Sequence, residues 1–556
     1  MTELLTAAQM KAIEAEAIAS GRVTGLELME RAGRGVVDAI FAEWPELAAS
    51  SFRAVVLCGP GGNGGDGFVV ARLLKEWGWE VAVFLYGTPE RMPPDARVNY
   101  ERWRAMGEVG AIADAVPPTC ADLVVDALFG IGLTRPMPDE LVAFVDGVVG
   151  NVRLNGPDSR TRLVAVDTLS GVCADSGKVL GQPAPYFADL TVTFQRAKLG
   201  HYLGDGGTLS WALRCVDIGI DDFAGSGSVA LAGLSARRIA KRRGHKFGHG
   251  HALVLSGGVG HGGAARLAAG GALRIGAGLV TLLCPPAALI ENAARLDAVM
   301  LKPIKDAAGL AAVLADKRIN ALCIGPGLGV ERAAGMLAVV LGNAARSHPF
   351  PEAEGSRPDG EVGAGDSAAG GNEALPPSRL EGGQVGGFSG SIVIDADGIT
   401  ALTRDPALFA RLHKNCVLTP HGGEFARLFP DIAAKLEAPA TKGPAYSKVD
   451  ATREAAKRAG CVVLFKGADT VIAAPDGRCS VNSAHYDRAA PWLATAGSGD
   501  VLAGFITGLL ARGFAPMQAA EAAAWLHVEC ARSFGPGLIA EDLSAELPKV
   551  FRALGL

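Results

Sequence analysis

The chain lacks any cysteine arrangement that would staple or metallate a small scaffold: its 10 cysteines include no Cys-x-x-Cys, and the nearest two are Cys461 and Cys479. Several, among them Cys58, Cys323 and Cys461, sit inside apolar runs, so the expectation is reduced core thiols in a cytoplasmic protein, with neither disulfides nor zinc. No apolar run approaches the ~18 residues of a membrane span, and the first residues carry neither the basic nor the apolar segment of a secretion signal. No membrane partner is expected. An excess of one charge sign is missing as well. Against 53 Lys and Arg stand 58 Asp and Glu, interspersed, and the net charge of −5 offers no footprint for nucleic acid. Small molecules remain the expected partners, and self-association into a homo-oligomer is left open.

What the chain has in abundance is glycine, 74 residues in 556, roughly double the usual share of about 7%. Such an excess points to many tight strand-to-helix turns. Residues 1–9 read as a capped helix start, and Thr24 with Glu27 three residues on reads as a capping box opening a second helix. Apolar runs at 53–58, 80–86, 122–126, 163–167 and 190–194 read as buried strands separated by helical or loop material. A second series follows at 251–256, 279–284, 321–324, 391–395, 415–419 and 461–466, with a helix at 264–277. Between the two series lies a polar, glycine-rich joint at 221–228. The expected fold class is therefore α/β, with two tandem domains at about 1–225 and 230–556 and mostly parallel, doubly wound sheets. Residues 347–390 are poor in large apolar groups and cannot repay their ordering entropy, so they read as a flexible surface insertion.

In the first half, the strand at 53–58 delivers Gly61-Gly62-Asn63-Gly64-Gly65-Asp66-Gly67 into a helix at 68–77, the position of the dinucleotide loop in a Rossmann-like sheet. Two further strand ends carry carboxylates, Asp126-Ala127-Leu128-Phe129-Gly130 and Asp167-Thr168-Leu169-Ser170-Gly171. In a parallel sheet such ends share one crevice, where Asn63, Asp126, Asp167 and Ser170 are expected to converge. Each aspartate alone could equally cap a helix or loop. Together with Leu28-Met29-Glu30-Arg31-Ala32-Gly33-Arg34, these segments make residues 1–225 resemble the NAD(P)H-hydrate epimerase domain. The resemblance implies potassium held by Asn63, Asp126 and Ser170, and Asp167 as acid/base at the nicotinamide ring. It also implies a dinucleotide on Gly62, Asn63, Gly64, Gly65 and Asp66 and on Gly130, Ile131, Gly132, Leu133 and Thr134. The chain departs from the family where Gly62 replaces an Asn, Leu169 a Pro and Cys173 a polar residue.

In the second half, Gly497-Ser498-Gly499-Asp500 opens an apolar helix, an anion-binding arrangement with a carboxylate in its first turn. Asp500 is either a helix cap or a base that deprotonates a hydroxyl as it attacks phosphorus. Four more strand-end motifs accompany it: Gly325-Pro326-Gly327-Leu328-Gly329, Asp395-Ala396-Asp397-Gly398, Thr419-Pro420-His421-Gly422-Gly423-Glu424 and Lys466-Gly467-Ala468-Asp469-Thr470. Together they resemble the ribokinase-like superfamily, and most closely the ADP-dependent NAD(P)H-hydrate dehydratases, over residues 230–556 apart from the insertion. The resemblance implies ADP against Lys466, Gly467, Ala468, Asp469 and Thr470 and against Gly497, Ser498 and Gly499. The hydrated nicotinamide would face Ala264 or Ala265, Gly327, His421 and Asp500. Magnesium would come with ADP and be reached by Glu424 through water. Gly422 stands where the family has Pro and Gly398 where it has Ala. The fusion implies repair of hydrated NADH and NADPH: epimerisation of R- and S-NAD(P)HX, then ADP-driven dehydration of the S form. The competing reading is a small-molecule kinase fused to a non-catalytic dinucleotide-binding module.

Overall fold

The computed structural model describes residues 3–114, 118, 120–153, 161–181, 186–220, 229–241, 243–342 and 387–556. The joint at 221–228 and all of the 347–390 insertion except 387–390 lie outside the described residues. The first sheet has seven strands, in the spatial order Val109–Ala111, Glu80–Leu85, Arg53–Cys58, Leu123–Ala127, Arg162–Val166, Ala188–Phe194 and Ser210–Val216. Every neighbouring pair in it is parallel. The winding reverses between Arg53–Cys58 and Leu123–Ala127, which leaves a crevice beyond the carboxyl ends of those two strands. The edge strands at 109–111 and 210–216 carried no clear apolar run. The predicted capping box of Thr24 with Glu27 forms, and the capped start expected near the N-terminus is a second one, Thr6 with Gln9.

The helix after Arg53–Cys58 starts earlier than the sequence suggests, at Gly62 rather than Phe68, and runs to Glu76. The glycine run is thus its first turn rather than a loop. Packing explains two of the glycines. A methyl on Gly64 would lie 1.9 Å from the Gly59 carbonyl oxygen, and one on Gly65 would lie 2.4 Å from the Met29 sulfur. Gly61 and Gly62 face open space, so the helix N-terminus stays accessible.

Among the described residues the second sheet has eleven strands. Seven parallel ones run in the order Met300–Pro303, Leu279–Cys284, His251–Leu255, Ile319–Ile324, Ser391–Ile394, Cys416–Leu418 and Val462–Phe465. Asp469–Ala473 and Cys479–Ser483 extend the sheet antiparallel, and Val229–Leu231 adds to its edge. Glu3–Leu4, from the opposite end of the chain, closes that edge by pairing with Val229–Leu231. The helix Ser498–Ala511 is buried from Val501 onward and lies against the helix Gly263–Arg274. Gly504 permits that approach, because a methyl there would sit 2.1 Å from the Ala268 carbonyl oxygen.

Candidate active sites

A cavity of about 500 Å³ opens at the crevice of the first sheet. Of the expected substrate residues, Gly62, Asn63, Asp66, Gly130, Ile131, Gly132, Leu133 and Asp167 line it. Gly64 and Gly65 face packed neighbours instead, and the Thr134 carbonyl accepts from Gly443 N–H at 2.9 Å. The helix Ala7–Ala19 adds Lys11 and Glu14, which sequence reasoning passed over.

Asp167 stands at a strand end in the left-handed region, φ 63°, a conformation whose cost is characteristic of functional sites. Its Oδ2 accepts from Ile131 N–H at 3.1 Å, and its Oδ1 from Lys198 Nζ at 2.9 Å and Thr193 Oγ1 at 3.0 Å. Burial pushes the Asp167 carboxyl up, but the Lys198 ammonium outweighs it and holds the group below the ordinary carboxylate value. Lys198 is itself only 1% exposed. His201 locks this arrangement: its Nδ1 accepts from Lys198 N–H at 2.9 Å, which leaves the proton on Nε2 to donate to the Asp167 carbonyl at 2.8 Å. Burial drives the His201 pKa down to about 4, so the ring is neutral. Lys198 lies beyond the predicted strand, and nothing in its neighbourhood marked it. Across the cavity, burial and the negative charge of Asp167 raise both Glu14 and Asp66.

The four groups expected to converge fall into two layers. Asn63 and Asp167 meet around Gly130, where a methyl would lie 2.7 Å from Asp167 Oδ2 and 3.1 Å from Asn63 Oδ1. Asp126 and Ser170 lie behind the cavity wall. The Asp126 carboxylate accepts from Ser170 N–H at 2.9 Å, Ser170 Oγ at 2.7 Å, Leu128 N–H at 3.1 Å and the Tyr186 hydroxyl. Backbone amides at the ends of two adjacent strands draw that carboxylate inward. The Asn63 amide, in contrast, is buried with neither its oxygen nor its nitrogen hydrogen-bonded. An orphaned hard oxygen that shares the space around Gly130 with the Asp167 carboxylate fits an alkali cation.

At the second sheet the helix Ser498–Ala511 starts from Gly497 in the left-handed conformation, φ 87°, with no side-chain cap. Asp500 is therefore not the cap. Burial and the charges of Asp395, Asp397 and Glu424 push its pKa from 3.8 up to about 6, against the opposing pull of Lys466. Lys466 Nζ donates to Asp395 Oδ1 at 2.8 Å and stands 3.9 Å from Glu424 Oε2. A methyl on Gly499 would lie 3.4 Å from that ammonium, so the glycine keeps backbone and cation close. The Ser498 carbonyl receives His527 Nε2 at 2.9 Å. Three carboxylates, Asp395, Glu424 and Asp500, act on the one Lys466 ammonium, and the surplus of negative charge favours a cation arriving with nucleotide phosphates.

His421 and Glu424 are engaged within one helix start: Gly423 N–H donates to His421 Nδ1 at 3.0 Å, and His421 N–H donates to Glu424 Oε2 at 2.9 Å. Gly327, with φ 60°, faces Ala264, whose methyl would be 3.3 Å from an added Cβ. In the Lys466–Thr470 turn, Gly467 N–H donates to Thr470 Oγ1 at 3.1 Å, and the Ala468 carbonyl accepts from Ala484 N–H at 2.7 Å. Asp469 departs from expectation as a nucleotide contact. Its Oδ1 is taken by Lys448 Nζ at 2.6 Å and its Oδ2 by Gly204 N–H at 3.0 Å, so the carboxylate serves structure.

Residues 252–346 and 384–549 match the family model described as NAD(P)H-hydrate dehydratase, and residues 25–200 match the one described as YjeF-related protein N-terminus. The bifunctional NAD(P)H-hydrate repair enzyme Nnr of Moorella thermoacetica is 33% identical over 99% of this chain and 97% of its own length. The NAD(P)H-hydrate epimerase of Rhodobacter capsulatus is 48% identical over 36% of this chain and 92% of its own. A solved structure of an ADP/ATP-dependent NAD(P)H-hydrate dehydratase from Bacillus subtilis, co-crystallised with ATP/Mg2+, is 23% identical and covers 58% of this chain and 98% of its own, with a TM-score of 0.39. The full-length match above 30% identity joins the two halves in one inheritance, and the chain belongs to the family of bifunctional NAD(P)H-hydrate repair enzymes.

Proposed function

We propose that the chain repairs hydrated NADH and NADPH. The N-terminal half, about residues 1–225, interconverts the R and S epimers at C6. The C-terminal half, about 230–556, dehydrates the S epimer at the expense of ADP, releasing AMP and phosphate. One observation carries the reading: two separate sites, each built around a carboxylate at a strand or helix end, lie in one chain that matches a bifunctional relative end to end.

In the first cavity Asp167 is kept ionised by Lys198 and is the proton acceptor at the hydrated ring. The amides of the open helix start at Gly62 and of Gly130 and Gly132 bind the dinucleotide phosphates. Potassium would be held by Asn63, with Asp126 and Ser170 behind it, and would supply charge neutralisation beside the phosphates.

At the second site Asp500, with a pKa of about 6, is matched to accept a proton near neutrality. It takes the proton of the C6 hydroxyl as the oxygen attacks the β-phosphorus of ADP and AMP departs. Breaking the C6–O bond with loss of a proton from the adjacent carbon then expels phosphate and restores the ring double bond. Lys466 and the amides at 497–499 hold the transferring group, each such donor being worth ~3 kcal/mol. Glu424 would reach magnesium through water, and Ala264, Gly327 and His421 would form the nicotinamide side. A cytoplasmic location is part of the proposal.

The test is to give the protein a mixture of both epimers with ADP and magnesium, following absorbance and epimer loss by chromatography. Asp500→Asn should stop dehydration and leave epimerisation, and Asp167→Asn should do the reverse. A stable phosphorylated product would favour a kinase, and persistence of both epimers would refute repair.

A further inference from the structure

The turn that carries Lys198 has two faces. Toward the first cavity, Lys198 Nζ and His201 Nε2 hold the side chain and the carbonyl of Asp167. Its other face is gripped by the C-terminal half. The Tyr486 hydroxyl donates to the His201 carbonyl at 2.5 Å and to the Gly206 carbonyl at 3.2 Å. Its ring meets Tyr202 edge-on, with centroids 5.6 Å apart. Burial raises the Tyr486 pKa, so its hydroxyl stays protonated and remains a donor. Tyr486 is held in the left-handed region, φ 52°, as Asp167 is. An aromatic residue tolerates that conformation only where its surroundings impose it.

We propose that Tyr486, supplied by the C-terminal half, is a positioning residue of the N-terminal site: by holding the His201 and Gly206 carbonyls it fixes the turn that presents Lys198 to Asp167. The site of this chain is then completed across the seam between its halves. A second contact supports the same view. Gly443 N–H donates to the Thr134 carbonyl beside the cavity-lining Leu133, so the C-terminal half supports the opposite rim as well. Losing the hydroxyl frees the turn, loosens Lys198 and weakens the force that keeps Asp167 ionised.

The inference rests on the proposed epimerase activity, and full-length Tyr486→Phe tests it. The expected result is a fall of about tenfold in kcat for epimerisation with KM little changed. The acid limb of its pH profile should move up by about half a pH unit, because Asp167 is then ionised over a narrower range. Dehydration and the melting temperature, measured on the same preparation, should stay near wild type. Wild-type epimerisation with an unchanged variant overturns this inference alone. So does a loss that leaves the acid limb in place and falls equally on dehydration, because that marks general loosening. Absence of epimerisation in the wild type overturns the proposed function together with it.

Discussion

Replacing Asp500 with Asn should stop the dehydration chemistry and make the protein more stable near neutral pH. The folded carboxyl titrates at about 6 against an ordinary 3.8, because burial and three neighbouring carboxylates disfavour its charge. A rise of about 2 pH units is worth about 3 kcal/mol at about 1.4 kcal/mol per unit. Asp500 is partly exposed, so solvent screening reduces this to about 1–2 kcal/mol. The sign follows from linkage. The folded pKa lies above the unfolded one, so this group's contribution is fully present below pH 3.8 and is lost as pH rises through about 6. At pH 8 the wild type bears the whole penalty and the isosteric amide bears none. Calorimetric melting at pH 8 should place the C-terminal transition of Asp500→Asn roughly 2–5 °C above wild type. At pH 4.5 most of the gap should close. The dehydration rate should fall by about 10²–10⁴-fold. A variant no more stable at pH 8, or one with the same advantage at both pH values, would refute the charge-crowding argument.

Lys198→Met leaves the Asp167 carboxylate buried without its cation and should cost about 3–5 kcal/mol in urea unfolding along with epimerisation. Adding Asp167→Asn should restore most of the stability and none of the activity, and failure of that rescue would count against the pair. Gly504→Ala drives a methyl to within 2.1 Å of the Ala268 carbonyl oxygen. It should destabilise the C-terminal half by about 3 kcal/mol with the N-terminal transition unmoved, as read by calorimetry.

Much of the architecture was legible because buried parallel strands read as continuous apolar runs, as at 53–58, 251–256 and 461–466. The edge strands Val109–Ala111 and Met300–Pro303 were not, since an edge buries less and carries less apolar signal. The glycines of 62–67 read as a phosphate loop, whereas Gly64 and Gly65 are required by contact with Gly59 and Met29. At the sites, strand-end carboxylates and Lys466 were readable because a parallel sheet aims its carboxyl ends into one crevice. Lys198 was not, because its partner Asp167 is 31 positions away.

By itself, the sequence determined the two α/β halves, their parallel sheets and the residues at the carboxyl ends of the strands, since apolar periodicity and glycine turns are local properties of the chain. Only the tertiary structure decided which of those residues act together. It set Asp126 and Ser170 behind the cavity wall and turned Asp469 from the nucleotide side to Lys448 and Gly204. It also freed Asp500 from a capping role and raised its pKa by gathering Asp395, Asp397 and Glu424 from two other segments. Charge and burial act through space, and the spacing that sets them exists only once the chain has folded.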